Sequence, residues 1–262
     1  MENKKQVIKS IGYNQHEMLY NIMQMHNGGK PFDVDITYSV GNFYGEFNIT
    51  NQEGNVEKIE IPQPQYKYDV YPQVEGVEKI EPLGPIPLED NSVDSVVCDL
   101  PFVISCGPSL ELGKDSSNKI TRRFSYYYPV SQLLESYKHW LEECYRVLKD
   151  EGILVWKCQS VITGSKFMNT PHYSRLISES LGFDILDEFV LLAKQRLISG
   201  KVKNQQHARS FHSYFIVFKK SLKKKITYFE FLNEEEIEKL LADIKKYNVR
   251  KKKRGNKQDI SC

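Results

Sequence analysis

Ser95-Val-Val-Cys-Asp99-Leu100-Pro101-Phe102 is an apolar run of strand length that ends on an acid, a proline and an aromatic ring. The turn residues Glu89-Asp90-Asn91 announce it, and its apolar core predicts a buried strand. In open α/β sheets, ligands sit beyond the carboxyl ends of strands. The residues just past a strand therefore carry the interest. Asp99 accepts a hydrogen bond. Pro101 stiffens the turn and brings no N–H to compete. Phe102 offers a flat apolar face on which another flat group can stack. Taken alone, four residues of this type favour a plain proline turn with a buried Phe102 over a functional site.

Working outward, strands alternate with helices. Residues 14–26 read as a helix, with Asn14 and Glu17 resembling a capping box and Gly28-Gly29 stopping it. Phe32–Tyr38 alternates apolar and polar residues and reads as a strand, followed by a possible hairpin around Glu53-Gly54-Asn55 and a short strand at Tyr66–Val70. Residues 103–130 form a long loop rich in Ser, Gly and aromatics, a kind more often functional than idle. Ser131 is expected to cap an amphipathic helix carrying Leu134, Tyr137, Leu141, Cys144 and Leu148 on one stripe. Gly152 is expected to break it before an apolar strand at Ile153–Lys157. Thr170-Pro171 opens another helix that Gly182 closes. Strands at 184–192 and 211–218 and a helix from Asn233 complete the pattern, and the tail from about 248 reads as disordered. This order predicts an α/β fold with helices on both faces of the sheet.

Composition excludes several classes. A chain of 262 residues with 40% hydrophobic and 27% charged residues is neither a disordered chain nor a coiled coil. It has no apolar run of about 20 residues, so no membrane partner is expected. The opening Met-Glu-Asn-Lys-Lys lacks a signal core, so a cytoplasmic location is expected. Five cysteines without a Cys-x-x-Cys pair read as thiols rather than a disulfide framework, and no metal is expected. The net charge of +2 hides a division. Phe189–Phe229 holds ten bases and no acid, Lys245–Lys257 holds eight bases and no acid, and the remainder carries −16. Such a molecule offers one attractive face to a polyanion.

In this context residues 99–102 resemble the [Asp/Asn/Ser]-[Pro/Leu/Ile]-Pro-[Tyr/Phe/Trp] signature of class I S-adenosylmethionine-dependent methyltransferases that modify exocyclic amino groups of nucleobases. Leu88–Asp99 resembles the lead-in of these enzymes, Glu143–Lys149 and Gly152-Ile-Leu-Val their next helix and strand, and Phe211–Phe218 their last strand. The likeness covers roughly residues 10–220 and looks nearest to small bacterial and phage DNA methyltransferases acting on adenine N6 or cytosine N4. It implies a Rossmann-like class I fold with a seven-stranded, mostly parallel sheet. A catalytic domain is expected over 1–225, followed at 226–262 by a basic helical extension and tail.

The resemblance also implies roles. Asp99 and the Leu100 carbonyl would accept the two N–H bonds of the target amino group, with Pro101 stiffening the turn and Phe102 stacking on the base. The cofactor would be S-adenosyl-L-methionine. The family's Asp-x-x-x-Gly-x-Gly turn has its best match in Asp35-Ile-Thr-Tyr-Ser-Val-Gly41, where Ser39 replaces the first glycine. Ser39 and Gly41 would supply the tight turn, with Tyr38 or Tyr44 packing nearby. Asp35, Tyr38, Ser39 and Gly41 would thus bind the cofactor, and Asp69 stands where the family places an acid on the cofactor's ribose. A further acid contact would fall near Glu81 or Pro82, where the alignment is loose. The basic segment from Arg196 to Arg209 links the last two strands and should lie on the rim, so Arg196, Lys201, Lys203, Gln206, His207, Arg209 and His212 are expected to contact DNA. Cys98 reads as packing, since amino methylation needs no cysteine nucleophile. With no large recognition domain visible, target selection falls to the loops at 103–130 and 194–209, to a second protomer in a homodimer, or is lax. An RNA guanine-N2 methyltransferase and a non-catalytic nucleic-acid-binding protein are the competing readings.

Overall fold

A computed structural model describes residues 7–50, 54–102, 130–163, 166–194 and 207–221, together with Glu235, Glu238, Lys239 and Ala242. The predicted loop at 103–129, Arg196, Lys201, Lys203, Gln206 and the tail from 248 lie outside the described residues. The chain divides into two units, Met1–Leu222 and Lys223–Cys262. In the second, the four described residues are helical, within the helix expected from Asn233.

The first unit runs β1 (Ile11–Gly12), α1 (Gln15–His26), β2 (Val34–Asp35), β3 (Gly45–Thr50), β4 (Val56–Ile61), β5 (Tyr66–Asp69), β6 (Glu78–Lys79) and β7 (Val93–Cys98). It continues with α2 (Val130–Val147), β8 (Leu148–Cys158), β9 (Val161–Thr163), β10 (Lys166–Met168), α3 (Thr170–Leu181), β11 (Phe183–Leu192) and β12 (His212–Lys220). The main sheet has the order β1-β11-β12-β8-β7-β2-β5-β6. Among its described strands, only β12 runs against its neighbours. This is the Rossmann-like class I methyltransferase arrangement expected from the sequence, with eight strands where seven were expected. The added strand is the short edge β1, which pairs parallel to β11 through Ile11 and Gly12.

The sheet is buried on both faces, so its central strands are apolar throughout. Alternation then sends successive side chains into different cores. Val96, Cys98, Leu154, Trp156, Ile216 and Phe218 pack with Leu133, Tyr137, Trp140 and Leu141 of α2. Val97, Val155, Phe215 and Val217 pack with Met18, Leu19, Ile22 and Met23 of α1. The α1 cap is the one expected: the Asn14 side chain accepts from the N–H groups of His16 and Glu17. Asn169 caps α3, with Pro171 in its first turn, and Gly182 ends it at φ +108°. The expected hairpin forms from β3 and β4, in register from Gly45 opposite Ile61 to Thr50 opposite Val56.

Two local expectations need correction. Ser131 does not precede α2 but lies inside it, since the helix already includes Val130. Gly152 does not break α2, which ends at Val147, and Leu148, expected on the helix stripe, opens β8 instead. Gly152 lies within β8 at a bulge, where Leu148 pairs with Val93 and Ile153 with Ser95. Lys149–Gly152 bow out opposite Asp94 alone.

Polar side chains fix how α2 meets the sheet. The Arg146 guanidinium donates to the carbonyls of Ile86 and Leu88 and to Asp90 and Glu143. It thereby pins the turn before β7 to the end of α2. The buried Lys220 ammonium donates to the Tyr145 and Leu148 carbonyls and to Asn91 Oδ1, placing positive charge where a helix C-terminus favours it.

Gly152 tests the bulge. A Cβ there would lie 2.8 Å from the Lys149 carbonyl oxygen and 3.1 Å from that of Asp94, both backbone. Gly152→Ala is expected to lower the unfolding free energy by about 1–3 kcal/mol. The measurement is a lowered urea midpoint at unchanged slope.

Candidate active site

A cavity of about 470 Å³ opens where β2, β5, β7 and β8 end. From β2 the chain proceeds outward through β5 and β6, then returns to β7 on the other side of β2. The crevice between β2 and β7 is thus the topological switch point, the standard ligand site of open α/β sheets. Thr37, Tyr38 and Ser39 line it after β2, Asp69 and Val70 at the end of β5, Asp99, Leu100 and Pro101 after β7, and Lys157 near the end of β8. Glu135, Ser136 and Trp140 of α2 and Pro82 and Leu83 close other sides.

The turn after β2 is built by a buried carboxylate. Asp35 is fully buried. Its Oδ1 accepts the Thr37 N–H at 2.8 Å and the Thr37 hydroxyl at 3.2 Å, and its Oδ2 accepts the Tyr44 hydroxyl at 2.7 Å. Burial pushes its carboxyl up to about 7 against these bonds, and the nearby Asp99 adds to the rise. Burial, helped by the Asp35 charge, likewise raises the Tyr44 hydroxyl. Ser39 adopts the left-handed conformation at φ +54°, which the missing glycine would have supplied. Gly41 is left-handed too, at φ +74°, and a Cβ there would run into the Tyr38 ring. Asp69 Oδ2 accepts the Ser39 N–H at 2.8 Å, and its Oδ1 accepts that of Tyr71. Burial raises the Asp69 carboxyl, against the pull of those two bonds.

Asp99 is tied from two sides. Its N–H donates to the Thr37 hydroxyl oxygen at 2.7 Å. Its Oδ2 accepts from the Lys157 ammonium at 2.8 Å. The side chains of Lys157 and Asp99 are 12% and 24% exposed, so this ion pair is largely withdrawn from water yet still faces the cavity. The Lys157 ammonium also lies over the Phe43 and Phe215 rings, at 5.0 and 5.5 Å.

The expected site residues are thus distributed in three ways. Asp99, Leu100, Pro101, Tyr38, Ser39 and Asp69 share the cavity wall. Asp35 stands behind that wall and acts on it through Thr37, and Gly41 shapes the turn. Phe102 is half-buried, at the border of the described residues, and is not among the lining side chains. Glu81 is paired with Lys79 in the open, while its neighbour Pro82 reaches the cavity. His207, Arg209 and His212 precede or begin β12. Tyr214 pairs with Cys158, so His212 lies beyond the carboxyl end of β8, on the cavity's edge of the sheet. Thr37, Lys157 and Trp140 were not singled out by the sequence. The signal for Lys157 was there: a lone base closing an otherwise apolar strand.

Comparison with known proteins adds to this geometry. A family model described as DNA methylase, covering N6 and N4 methyltransferases, matches residues 93–261. The chain belongs to this DNA methylase family. The match begins at β7 and includes Asp99–Phe102, while the turn after β2 precedes it. S-adenosyl-L-methionine is accordingly the cofactor. A search of curated proteins finds no match. Among solved structures, TTHA0409 of Thermus thermophilus, described as a DNA modification methylase and solved with S-adenosyl-L-methionine, aligns at 15% identity and a TM-score of 0.35. That alignment covers 55% of this chain and 54% of the other. This chain thus spans about half the length of that protein. A methyltransferase of Haloferax volcanii bound to the Trm112 activator aligns at 11% identity and a TM-score of 0.40, covering 81% and 95%. A SAM-dependent methyltransferase of Archaeoglobus fulgidus aligns at 14% and 0.39, covering 78% and 94%.

The raised Asp35 gives this family member a pH signature. The folded state holds the Asp35 proton up to about 7, whereas the ordinary value is 3.8. The folded state thus binds that proton more tightly than the unfolded chain. Stability falls as pH rises between the two values and is flat above them. Asn at this position stays neutral and can still accept the Thr37 N–H. The melting temperature of Asp35→Asn relative to wild type is therefore expected to climb from about pH 4 to about pH 8. A constant difference across that range would mean that Asp35 is ionised throughout.

Proposed function

We propose that the protein is an S-adenosylmethionine-dependent methyltransferase that methylates an exocyclic amino nitrogen of a nucleobase in DNA, adenine N6 ahead of cytosine N4. The observation that carries this reading is Asp99. It is a carboxylate at the switch-point cavity, held in place by Thr37 and Lys157, in a chain of the DNA methylase family.

The cavity suits the cofactor. Its volume lies in the ordinary range for small-molecule sites. Asp69 offers half-buried carboxylate oxygens, each with a lone pair beyond the backbone bond it accepts, for the ribose hydroxyls. Val70, Pro82 and Leu83 give apolar walls for a flat purine, and the Tyr38–Phe43 turn brings backbone close to the remainder. Ser39 takes the conformation that the turn requires, which speaks against a decayed pocket. When bound, the cofactor supplies an electrophilic methyl group on a sulfonium.

The rest falls to the chain. An amino group on a base is a poor nucleophile because its lone pair is delocalised into the ring. Asp99 and the Leu100 carbonyl accept its two N–H bonds, which turns the nitrogen towards the methyl group and favours pyramidal geometry. Direct transfer then needs nitrogen and carbon held at about 3–3.5 Å. Phe102 stacks on the base. A target in a duplex must be flipped out, at a cost of a few kcal/mol. Stacking returns about 1–3 kcal/mol of that. His207, Arg209 and His212, with the basic residues from Arg196 to Gln206, engage the DNA around the opening.

Labelled cofactor offered with separate DNA and RNA pools, followed by mass analysis of the nucleosides, tests the reading and names the atom. Asp99→Ala is expected to slow transfer by about 100- to 1000-fold or more, with cofactor affinity near wild type. Equal loss of both would make Asp99 a structural residue, and label in RNA alone would sink the DNA assignment. Neutralising Lys201, Lys203 and Arg209 together is expected to flatten the salt dependence of DNA binding, by about 0.9 in log–log slope for each phosphate no longer neutralised.

A further inference from the structure

We infer that Lys157 reads the ring nitrogen beside the target amino group, so that the site accepts the Watson–Crick edge of adenine or cytosine and rejects that edge of guanine. The inference rests on the amino-methyltransferase reading and narrows its substrate class.

The observation is the pairing of Asp99 with Lys157 at the cavity wall. Asp99 Oδ2 is taken by the ammonium at 2.8 Å. Among the described residues no hydrogen bond takes Oδ1, which is the oxygen left to meet a substrate N–H. The wall therefore presents an acceptor and, beside it, a strong donor. An ammonium carries three N–H bonds, and one of them is on Asp99. The Phe43 and Phe215 rings lie near its charge but offer no lone pair of a heteroatom. Both charged side chains line the cavity, so a bound molecule can meet both.

The pattern fits particular bases. In adenine the amino nitrogen and N1 share one carbon, just as the two oxygens of a carboxylate do. An amino N–H on Oδ1 therefore brings N1, an acceptor, alongside the ammonium. Cytosine presents the same pair through its amino group and N3. Guanine on its Watson–Crick edge sets an N1–H beside its amino group, while its acceptor N3 lies on the other flank, towards the sugar. That hydrogen would point at the ammonium, leaving a donor against a donor in a site shielded from water. Thymine has no amino group. A charged pair at a cavity costs desolvation that an apolar pair would avoid, and here it supplies recognition in return.

Lys157→Met keeps the unbranched apolar stem of the side chain and removes the donor. The test measures single-turnover methylation of oligonucleotides carrying adenine or 1-deazaadenine, in which C–H replaces N1, by the full-length chain. For a cytosine target, 3-deazacytosine serves in the same way. Wild type is expected to methylate the deaza analogue about 10- to 100-fold more slowly. Lys157→Met is expected to lose a similar factor on the natural base and to show little further loss on the analogue. Equal wild-type rates on both bases would overturn the inference without need of a variant. So would a variant that keeps the wild-type preference. If wild type methylates neither base in DNA or RNA, the underlying reading falls as well, whereas transfer without preference removes only the role of Lys157.

Discussion

The hydroxyl of Thr37 joins the ends of two strands that the sheet itself leaves apart. The β2–β7 ladder reaches Asp35 opposite Val97, after which the two chains diverge. Beyond that point Thr37 accepts the Asp99 N–H and donates to Asp35. Asp35 in turn gathers the Thr37 N–H and the Tyr44 hydroxyl. One buried carboxylate thereby sets both the turn after β2 and the position of Asp99. An acceptor with several lone pairs can collect these donors at once, which no apolar residue could do. The cost shows in the upward shift of the Asp35 carboxyl, caused first by its burial.

Charge in this crevice is arranged in a row: Asp35 behind the wall, Asp99 on it, Lys157 beside it. Asp99 raises the Asp35 carboxyl, and Lys157 offers Asp99 an opposite charge. Buried ion pairs seldom stabilise a fold more than a well-packed apolar pair would. The presence of this one at a cavity therefore argues for use rather than for stability. The Phe43 and Phe215 rings turn faces that attract a cation towards the ammonium, which is largely removed from water. The same rings pack in the core beside α1, so the position of Lys157 is coupled to that core.

Much of the fold was legible because its signals are local. The Asn14 and Gly182 boundaries, the apolar runs of β7 and β8, and the stripe of α2 each follow from neighbouring residues. The pieces around 88–99 and 143–149 read as motifs, and Arg146 shows why they occur together: it clamps the one to the other. Gly152 was misread because a glycine after an amphipathic run looks like a helix stop, and only the register against Val93 and Ser95 shows a bulge. Asp99 and Asp69 could be placed at the cavity from the sequence because it lies at strand ends, a rule that needs only the strands. Lys157 and Thr37 were missed because their importance is pairwise. Lys157 is 58 residues from its partner Asp99, and Thr37 is 62, distances that a motif does not span. Asp35 was seen as a cofactor contact, yet its burial turns it into the support of that turn.

The way Asp99 is held also bears on product release. On the proposed reading, the amino group arrives with two N–H bonds, one for Asp99 and one for the Leu100 carbonyl. A methylated amine has only one N–H left. One of the two acceptors then loses its partner, in a cavity where an unmet acceptor is costly. The product is accordingly held less well than the substrate, which favours its departure. A second methylation would have to begin from that poorer hold, without the pair of bonds that turns the nitrogen. Lys157 helps here as well, since it gives Asp99 a partner once the base has left and spares the empty site a lone buried charge. The same ion pair that presents the acceptor to an incoming base thus stabilises the site between turnovers.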